Sequence, residues 1–516
     1  MKRIIATVTL LAAAAAAADA PPRMKYAIVA SPSAPNAVVA ALAAKYGADP
    51  RFEAVIVTAE GGIASGSVKE KLREAAPRYA AFVTAPEENN FKNVLALRRM
   101  MRELDSDPFD DAVWGIVSGP DSESAMRMAL SGPMRPRSVL STTGVSFAPF
   151  DAAFTISDGY AKGHKPAEYS RPGKPVAVKE KTADGNAERI VRDDTSAEFA
   201  KAWERLDPEL IVTSAHASQR NLEMPFSTGN IVPSKDGSLR RLPVRASLID
   251  YATGQAKREA AAMSSAAVPL ARPSNDKIWI AAGNCLIGDW LDSRSMVSCA
   301  IGYGRVNQFM GYIATTWFGE VGWGTLSQFF NRRATAAEAW YFANENMIRK
   351  LAATCPGARE VRPVIDSAAD YERKMFPAIH AALPARKFTR DEMQRVLGRF
   401  WDRDATVFYG DPALDARLAP ETQDAGLRAS AAPAGDGSIA ITLEASADVE
   451  AGFDAADKIN PVQPFGLILP RTPSGAPWKV VDAAGCEVFA ADDFAFVTRW
   501  PAMAKGEKRA IRLAAQ

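Results

Sequence analysis

Short apolar runs alternating with helical segments constrain this chain more than any other feature. Tyr26–Ala30, Phe52–Val57, Tyr79–Val83 and Ala112–Val117 read as buried strands. Helical patterns over Asn36–Tyr46, Val68–Ala75 and Asn93–Leu104 separate them, and Ser122–Ala129 opens another helix. Strands that are apolar on both faces and joined by helices predict a mostly parallel sheet covered on both sides. The pattern resumes with a helix near Ser196–Leu206 and strands at Leu210–Val212 and Ile278–Ala281. The expected fold is therefore α/β in two halves, residues 24–157 and 198–420, with helices on both faces. Between them, residues 158–197 are polar and lack a period, as in a surface insertion or hinge. Two Thr-x-x-Glu signals, Thr335 to Glu338 and Thr389 to Glu392, predict helix starts.

The texture changes after Arg417. Ala-, Pro- and Gly-rich sequence leads into Ile439–Leu443, Phe465–Leu469, Trp478–Val481, Glu487–Phe489, Phe494–Val497 and Ala510–Leu513, separated by turn residues. Residues 426–516 thus predict a small all-β sandwich.

The chain has 516 residues, enough for several folded units. It opens with Met1-Lys2-Arg3, an apolar stretch from Ile4 to Ala18, and Asp19-Ala20-Pro21-Pro22. A charged start, a short apolar run and small residues before a polar break predict a secretory signal over residues 1–18, and hence a periplasmic or secreted protein. The run is shorter than the ~20 residues of a spanning helix, and no later segment is apolar enough to span, so no transmembrane segment is expected after signal removal. Lys and Arg number 62 against 60 Asp and Glu, and loss of Lys2 and Arg3 leaves a neutral chain. Such a chain is a poor polyelectrolyte binder, so no nucleic-acid partner is expected.

Three histidines and four cysteines argue against a disulfide-dense scaffold and a His-rich metal site. No metal site is predicted at the catalytic residues. Gly-x-Ser-x-Gly, Walker and His-Glu-x-x-His motifs are absent. The rare residues are the better witnesses. His216 follows Leu210-Ile211-Val212-Thr213-Ser214-Ala215, and Cys285 follows Ile278-Trp279-Ile280-Ala281-Ala282-Gly283-Asn284. Ligands bind at the carboxyl ends of strands in open α/β sheets. Side by side there, a histidine can take the thiol proton, and the thiolate is a nucleophile. Backbone N–H groups of Cys285 and Ala217 would hold the oxyanion. Each residue alone also has a plain reading, as a small buried thiol or a packing imidazole. Asn284, Asp289, Trp317 and Trp323 are candidates for the pocket wall. Asp289 and Asp292 read first as solvated loop carboxylates, and otherwise as part of a cation site or as contacts for a basic substrate side chain. Cys299, Cys355 and Cys486 read as buried thiols, with room for one disulfide among them. His164 and His380 read as surface or packing residues.

The two blocks resemble the His and Cys blocks of gingipain-type cysteine peptidases, the bacterial branch of the caspase-like clan. Ser298–Ile301 and Val306–Tyr312 resemble that family's next helix and strand, and Val407-Phe408-Tyr409-Gly410-Asp411-Pro412-Ala413-Leu414 resembles its closing segment. Asp110–Ile116, followed by Glu123-Ser124-Ala125, resembles a segment of its first half. The resemblance implies a caspase/gingipain-like mostly parallel sheet, a C-terminal immunoglobulin-like domain and an exported cysteine endopeptidase. It implies a Cys285–His216 dyad acting on a protein or peptide substrate through a thioacyl intermediate. No cofactor is required on this reading, and a structural calcium is compatible with it. Two positions depart from the family: Ala217 stands where glycine is usual, and Ile116 where arginine is usual. These keep open an inactive caspase-like binding module of the cell envelope, or another hydrolase or acyl-transferase using the same dyad.

Overall fold

The computed structural model describes residues 23–157, 176–243, 267–419 and 426–516, apart from gaps at 183, 192–193, 317–318, 386, 435 and 454–462, and two short strands between 249 and 256. The signal segment, His164 and Trp317 lie outside the described residues. Twelve strands form one sheet: β1 (Met24–Ala30), β2 (Phe52–Thr58), β3 (Tyr79–Val83), β4 (Val113–Val117), β5 (Ser138–Ser141), β6 (Ala152–Ser157), β7 (Val176–Thr182), β8 (Gly185–Val191), β9 (Leu210–Thr213), β10 (Lys277–Ala281), β11 (Val306–Tyr312) and β12 (Thr406–Gly410). Their spatial order is β2-β1-β3-β4-β12-β11-β10-β9-β5-β6-β7-β8. Pairing is parallel from β2 through to β12, and again from β11 through to β6. The two blocks meet antiparallel at β11 and β12. The sheet is therefore mostly parallel, as expected, and its two parallel blocks run in opposite directions; they do not follow the two sequence stretches, since β5 and β6 join the second block and β12 the first.

Among the described residues, ten α-helices accompany it: α1 (Asn36–Ala48), α2 (Gly66–Ala75), α3 (Phe91–Met101), α4 (Ser122–Leu130), α5 (Thr195–Leu206), α6 (Met296–Gly302), α7 (Glu320–Asn331), α8 (Ala336–Thr354), α9 (Ala368–Ala382) and α10 (Arg390–Ala405). Both Thr-x-x-Glu signals are reciprocal capping boxes, opening α8 and α10. No described helix is long and apolar enough to cross a membrane.

The polar stretch expected as an insertion or hinge is part of the sheet where it is described. Residues 176–191 form an antiparallel hairpin, β7 and β8, added to the edge beyond β6. Most of β8 is exposed, so its polar residues carry no apolar period to read.

Asp411, in the closing segment, is fully buried and joins distant parts of the chain. It accepts hydrogen bonds from the Tyr26 hydroxyl at 2.8 Å, the Tyr46 hydroxyl at 2.6 Å and Lys45 Nζ at 2.9 Å. A Cβ at Gly115 would sit 2.4 Å from the Gly410 carbonyl oxygen, so bare glycine lets β4 and β12 close.

The C-terminal residues form two antiparallel sheets. One holds Leu427–Pro433, Ile439–Ala445, Lys508–Ala514 and Lys479–Asp482, and the other Gly452–Phe453, Phe494–Trp500, Phe465–Ile468 and Glu487–Ala490. Both sheets contribute to one apolar core, which includes Ile441, Leu443, Leu467, Val497 and Leu513. Strand Phe494–Trp500 is buried on both faces: Ala495 and Val497 join that core, whereas Phe494 and Phe496 join the α/β core. Tyr341 and Phe342 of α8 meet Phe494 and Phe496 edge-on.

Candidate active site

Strands β9 and β10 are parallel neighbours, with Leu210 to Thr213 facing Ile278 to Ala281. Both strands are buried and run in the same direction, so the two segments leave the sheet at the same carboxyl edge. His216 comes three residues after β9, and Cys285 four residues after β10. Both side chains are half-buried.

Five residue pairs tie the two departing loops together. The Thr213 hydroxyl donates to Asn284 Oδ1 at 2.6 Å, and Asn284 Nδ2 donates to the Ala215 carbonyl at 2.7 Å. Gln219 Nε2 donates to Asp289 at 2.9 Å. Arg220 forms a bidentate pair with Asp292, both contacts at 2.6 Å. The Met296 N–H bonds the Gln219 carbonyl at 2.8 Å. These ties change the reading of three candidates. Asn284 is fully buried and spends both ends of its amide on the histidine loop, so it braces the site rather than lining a pocket. Asp289 is also buried, which pushes its carboxyl up to about 6 against the opposing Gln219 bond. Asp292 is held down at about 2, first by its Arg220 hydrogen bonds. Asp289 is thus a buried brace of the loops and not the solvated carboxylate expected.

After His216 the chain turns into a small antiparallel sheet that begins with Ala217–Ser218 paired to Asn221–Glu223. The Glu223 N–H bonds the His216 carbonyl at 2.9 Å. That bond makes Ala217 and Leu222 a pair without mutual hydrogen bonds, so the Ala217 N–H takes no part in this ladder. Burial lowers the affinity of His216 for a proton, which favours the neutral imidazole a general base needs.

Cys285 Sγ accepts a hydrogen bond from the Thr316 N–H at 3.3 Å, and the thiol lies 3.8 Å from the Thr316 carbonyl oxygen. Burial pushes this thiol up to about 11, and the Asp402 carboxylate adds to the shift while the Thr316 N–H opposes it. The resting group is therefore a thiol. Leu286, immediately after it, has φ of 60°, a left-handed conformation that strains a residue with a Cβ. Three bonds hold this reversal: Leu286 N–H to the Ala314 carbonyl, Gly288 N–H to the Tyr312 carbonyl, and the Tyr409 hydroxyl to the Gly288 carbonyl.

Helix α7 abuts the cysteine side. A Cβ at Gly322 would lie 2.1 Å from the Ala282 carbonyl oxygen, so only glycine lets the helix start sit on the end of β10. Trp323, half-buried, comes near Gly283 and is the candidate wall residue that the structure places at this edge. Thr316, Leu286 and Asp402 were not legible as site residues, because none belongs to a residue type or spacing that signals chemistry.

All four cysteines are free thiols, so no disulfide joins Cys299, Cys355 and Cys486. Among the described residues, one carboxylate group that could hold a metal lies away from this edge. Asp105, Asp107 and Asp492 bring carboxylate oxygens within 4.8 Å of one another. No protein-family model, curated protein or solved structure matches this chain.

Proposed function

We propose that this chain is an exported cysteine endopeptidase of the gingipain/caspase-like type, with an immunoglobulin-like C-terminal domain. The observation that carries the reading is the bracing of the Cys285 and His216 loops at one carboxyl edge by Asn284, Gln219–Asp289 and Arg220–Asp292. In the reaction, neutral His216 takes the Cys285 proton as sulfur attacks the scissile carbonyl carbon. The backbone N–H groups of Cys285 and Ala217 stabilise the tetrahedral oxyanion. His216 then protonates the leaving amine, and water releases the acid from the thioacyl intermediate. The chemistry calls for no cofactor. A calcium at the Asp105, Asp107 and Asp492 carboxylates would be structural. Export rests on the N-terminal charged and apolar pattern.

One observation favours an inactive binding module instead: the resting thiol is half-buried, held toward its protonated form and engaged by Thr316. A peptide library incubated with wild type and with Cys285→Ala, after matched thermal melts, separates the readings. Hydrolysis by wild type alone supports the peptidase. Equal hydrolysis by both removes Cys285 from the mechanism, and no hydrolysis together with no labelling by a thiol-reactive peptide selects the binding module.

A further inference from the structure

A cavity of about 220 Å³ lies among the helices that cover the first half of the sheet, and no residue of the candidate active site lines it. Its charged lining is entirely cationic. Arg99 and Arg102 come from the end of α3, Arg359 and Arg362 from the turn after α8, and Arg403 from the last part of α10. Ile348 and Leu351 of α8 supply an apolar wall.

Four of these guanidinium groups pair with two carboxylates, and Arg359 donates to the backbone carbonyls of Arg102, Asp105 and Ser106. Asp404 is shared by Arg99, Arg102 and Arg403. Glu103 pairs with Arg362 and is shared with Lys69 at 2.8 Å. Arg102 and Arg403 are buried, whereas Arg359 and Arg362 are half-exposed, so the charge deepens inward from a solvated rim. Burial lowers Arg102 to about 10 despite Asp404, and neighbouring Arg98 and Arg403 push it the same way. Nη2 of Arg99 is buried without a hydrogen-bond acceptor. Unbalanced positive charge at low dielectric is relieved most directly by a bound anion. Guanidinium forks match the paired oxygens of an oxyanion in bidentate fashion.

We propose that this cavity is a binding site for a small phosphate-type oxyanion, free or as the phosphate of a small ester. Its volume falls below the roughly 300–1,000 Å³ of pockets that enclose drug-sized ligands, which excludes a nucleotide and fits one or two phosphate groups. The arginines come from three separate chain segments, so an occupant ties α3, the turn after α8 and α10 together.

The test is isothermal titration of the full chain with inorganic phosphate and with pyrophosphate at fixed ionic strength, alongside thermal melts. The expected result is saturable binding at one site per chain and a raised melting temperature. Arg362→Gln removes a rim cation, and Ala352→Leu fills the cavity while keeping every arginine. Each is expected to weaken pyrophosphate at least tenfold. Arg512→Gln, on the C-terminal sheet, should change nothing. Absence of saturable binding overturns the proposal, as does unchanged affinity in both cavity variants. Tighter binding of citrate than of pyrophosphate would overturn the phosphate class in favour of a polycarboxylate.

Discussion

Single residues at the β9–β10 edge act mainly through what they hold in place. Asn284 illustrates this: its amide satisfies the Thr213 hydroxyl and the Ala215 carbonyl, both buried. Asn284→Ala leaves the Ala215 carbonyl without this donor and the Thr213 O–H without its acceptor, although the Thr213 oxygen keeps its bond from Trp279 Nε1, and is expected to destabilise the fold by about 2–4 kcal/mol. Peptide hydrolysis should fall further than stability alone explains, measured at a temperature where the variant is fully folded. Asp402 acts through charge. It is fully buried, its carboxyl is raised to about 7 chiefly by burial, and it accepts bonds from the Tyr312 hydroxyl and the Val321 N–H. An acid whose folded pKa exceeds its unfolded value, ~3.9, binds more protons when folded between the two. Stability from this group is therefore present in acid and lost as pH rises from about 4 to 7. Asp402→Asn should flatten that decline, read as the difference in melting temperature between pH 5 and pH 8 for mutant and wild type. Because the Asp402 charge also disfavours the Cys285 thiolate, the same variant should be alkylated faster at Cys285 above pH 7. A slower rate would remove Asp402 from the electrostatics of the site.

Secondary-structure elements show where local signals suffice. β9 and β10 were legible because both are short apolar runs ending in small residues, and the structure starts and ends them within a residue of the expected bounds. α8 and α10 were legible because Thr335 and Thr389 satisfy backbone N–H groups at their first turns. The β7–β8 hairpin was not, because an exposed edge needs no apolar alternation. α7 was missed as well: Gly322 and Gly324 lower its helix propensity, and contact with the end of β10 is what makes Gly322 worth having. The junction of β12 with the first half depends on Asp411. Asp411→Ala would leave Lys45, Tyr26 and Tyr46 facing a void and is expected to destabilise the chain by about 3–5 kcal/mol in chemical denaturation. A loss below about 1 kcal/mol would show that the two halves are held elsewhere.

At the scale of the whole molecule, the C-terminal sheets are built into the α/β unit. Phe109 packs edge-on against Phe489 and Phe494, and a Cβ on Gly466 would overlap the Phe342 ring at 2.4 Å. Arg78 pairs with Asp493 at 2.6 Å, and Arg471 with Asp111 at 2.9 Å, all four groups belonging to the junction. Truncation near Asp424 would uncover these rings and remove the carboxylate that pairs with Arg78. The expected outcome is an insoluble or unfolded remainder. A truncated chain that melts cooperatively at the wild-type temperature would show the two units to be independent. In the intact chain, Phe342→Ala is expected to lower stability by about 3–5 kcal/mol.

The sequence by itself determined the elements whose signals are local: the apolar strands, the capped helices, the change to β texture, and the two rare residues placed just past strand ends. Period and capping act over a few residues, so they survive without knowledge of neighbours. Tertiary structure alone decided which strands became neighbours, that the two parallel blocks oppose one another at β11 and β12, and that Asn284 and Asp289 brace loops instead of lining a pocket. Those outcomes depend on contacts between residues up to several hundred positions apart, such as Tyr26 with Asp411. A hydrogen bond across that distance leaves no periodic trace in the residues between, and only closure of the chain brings its partners together.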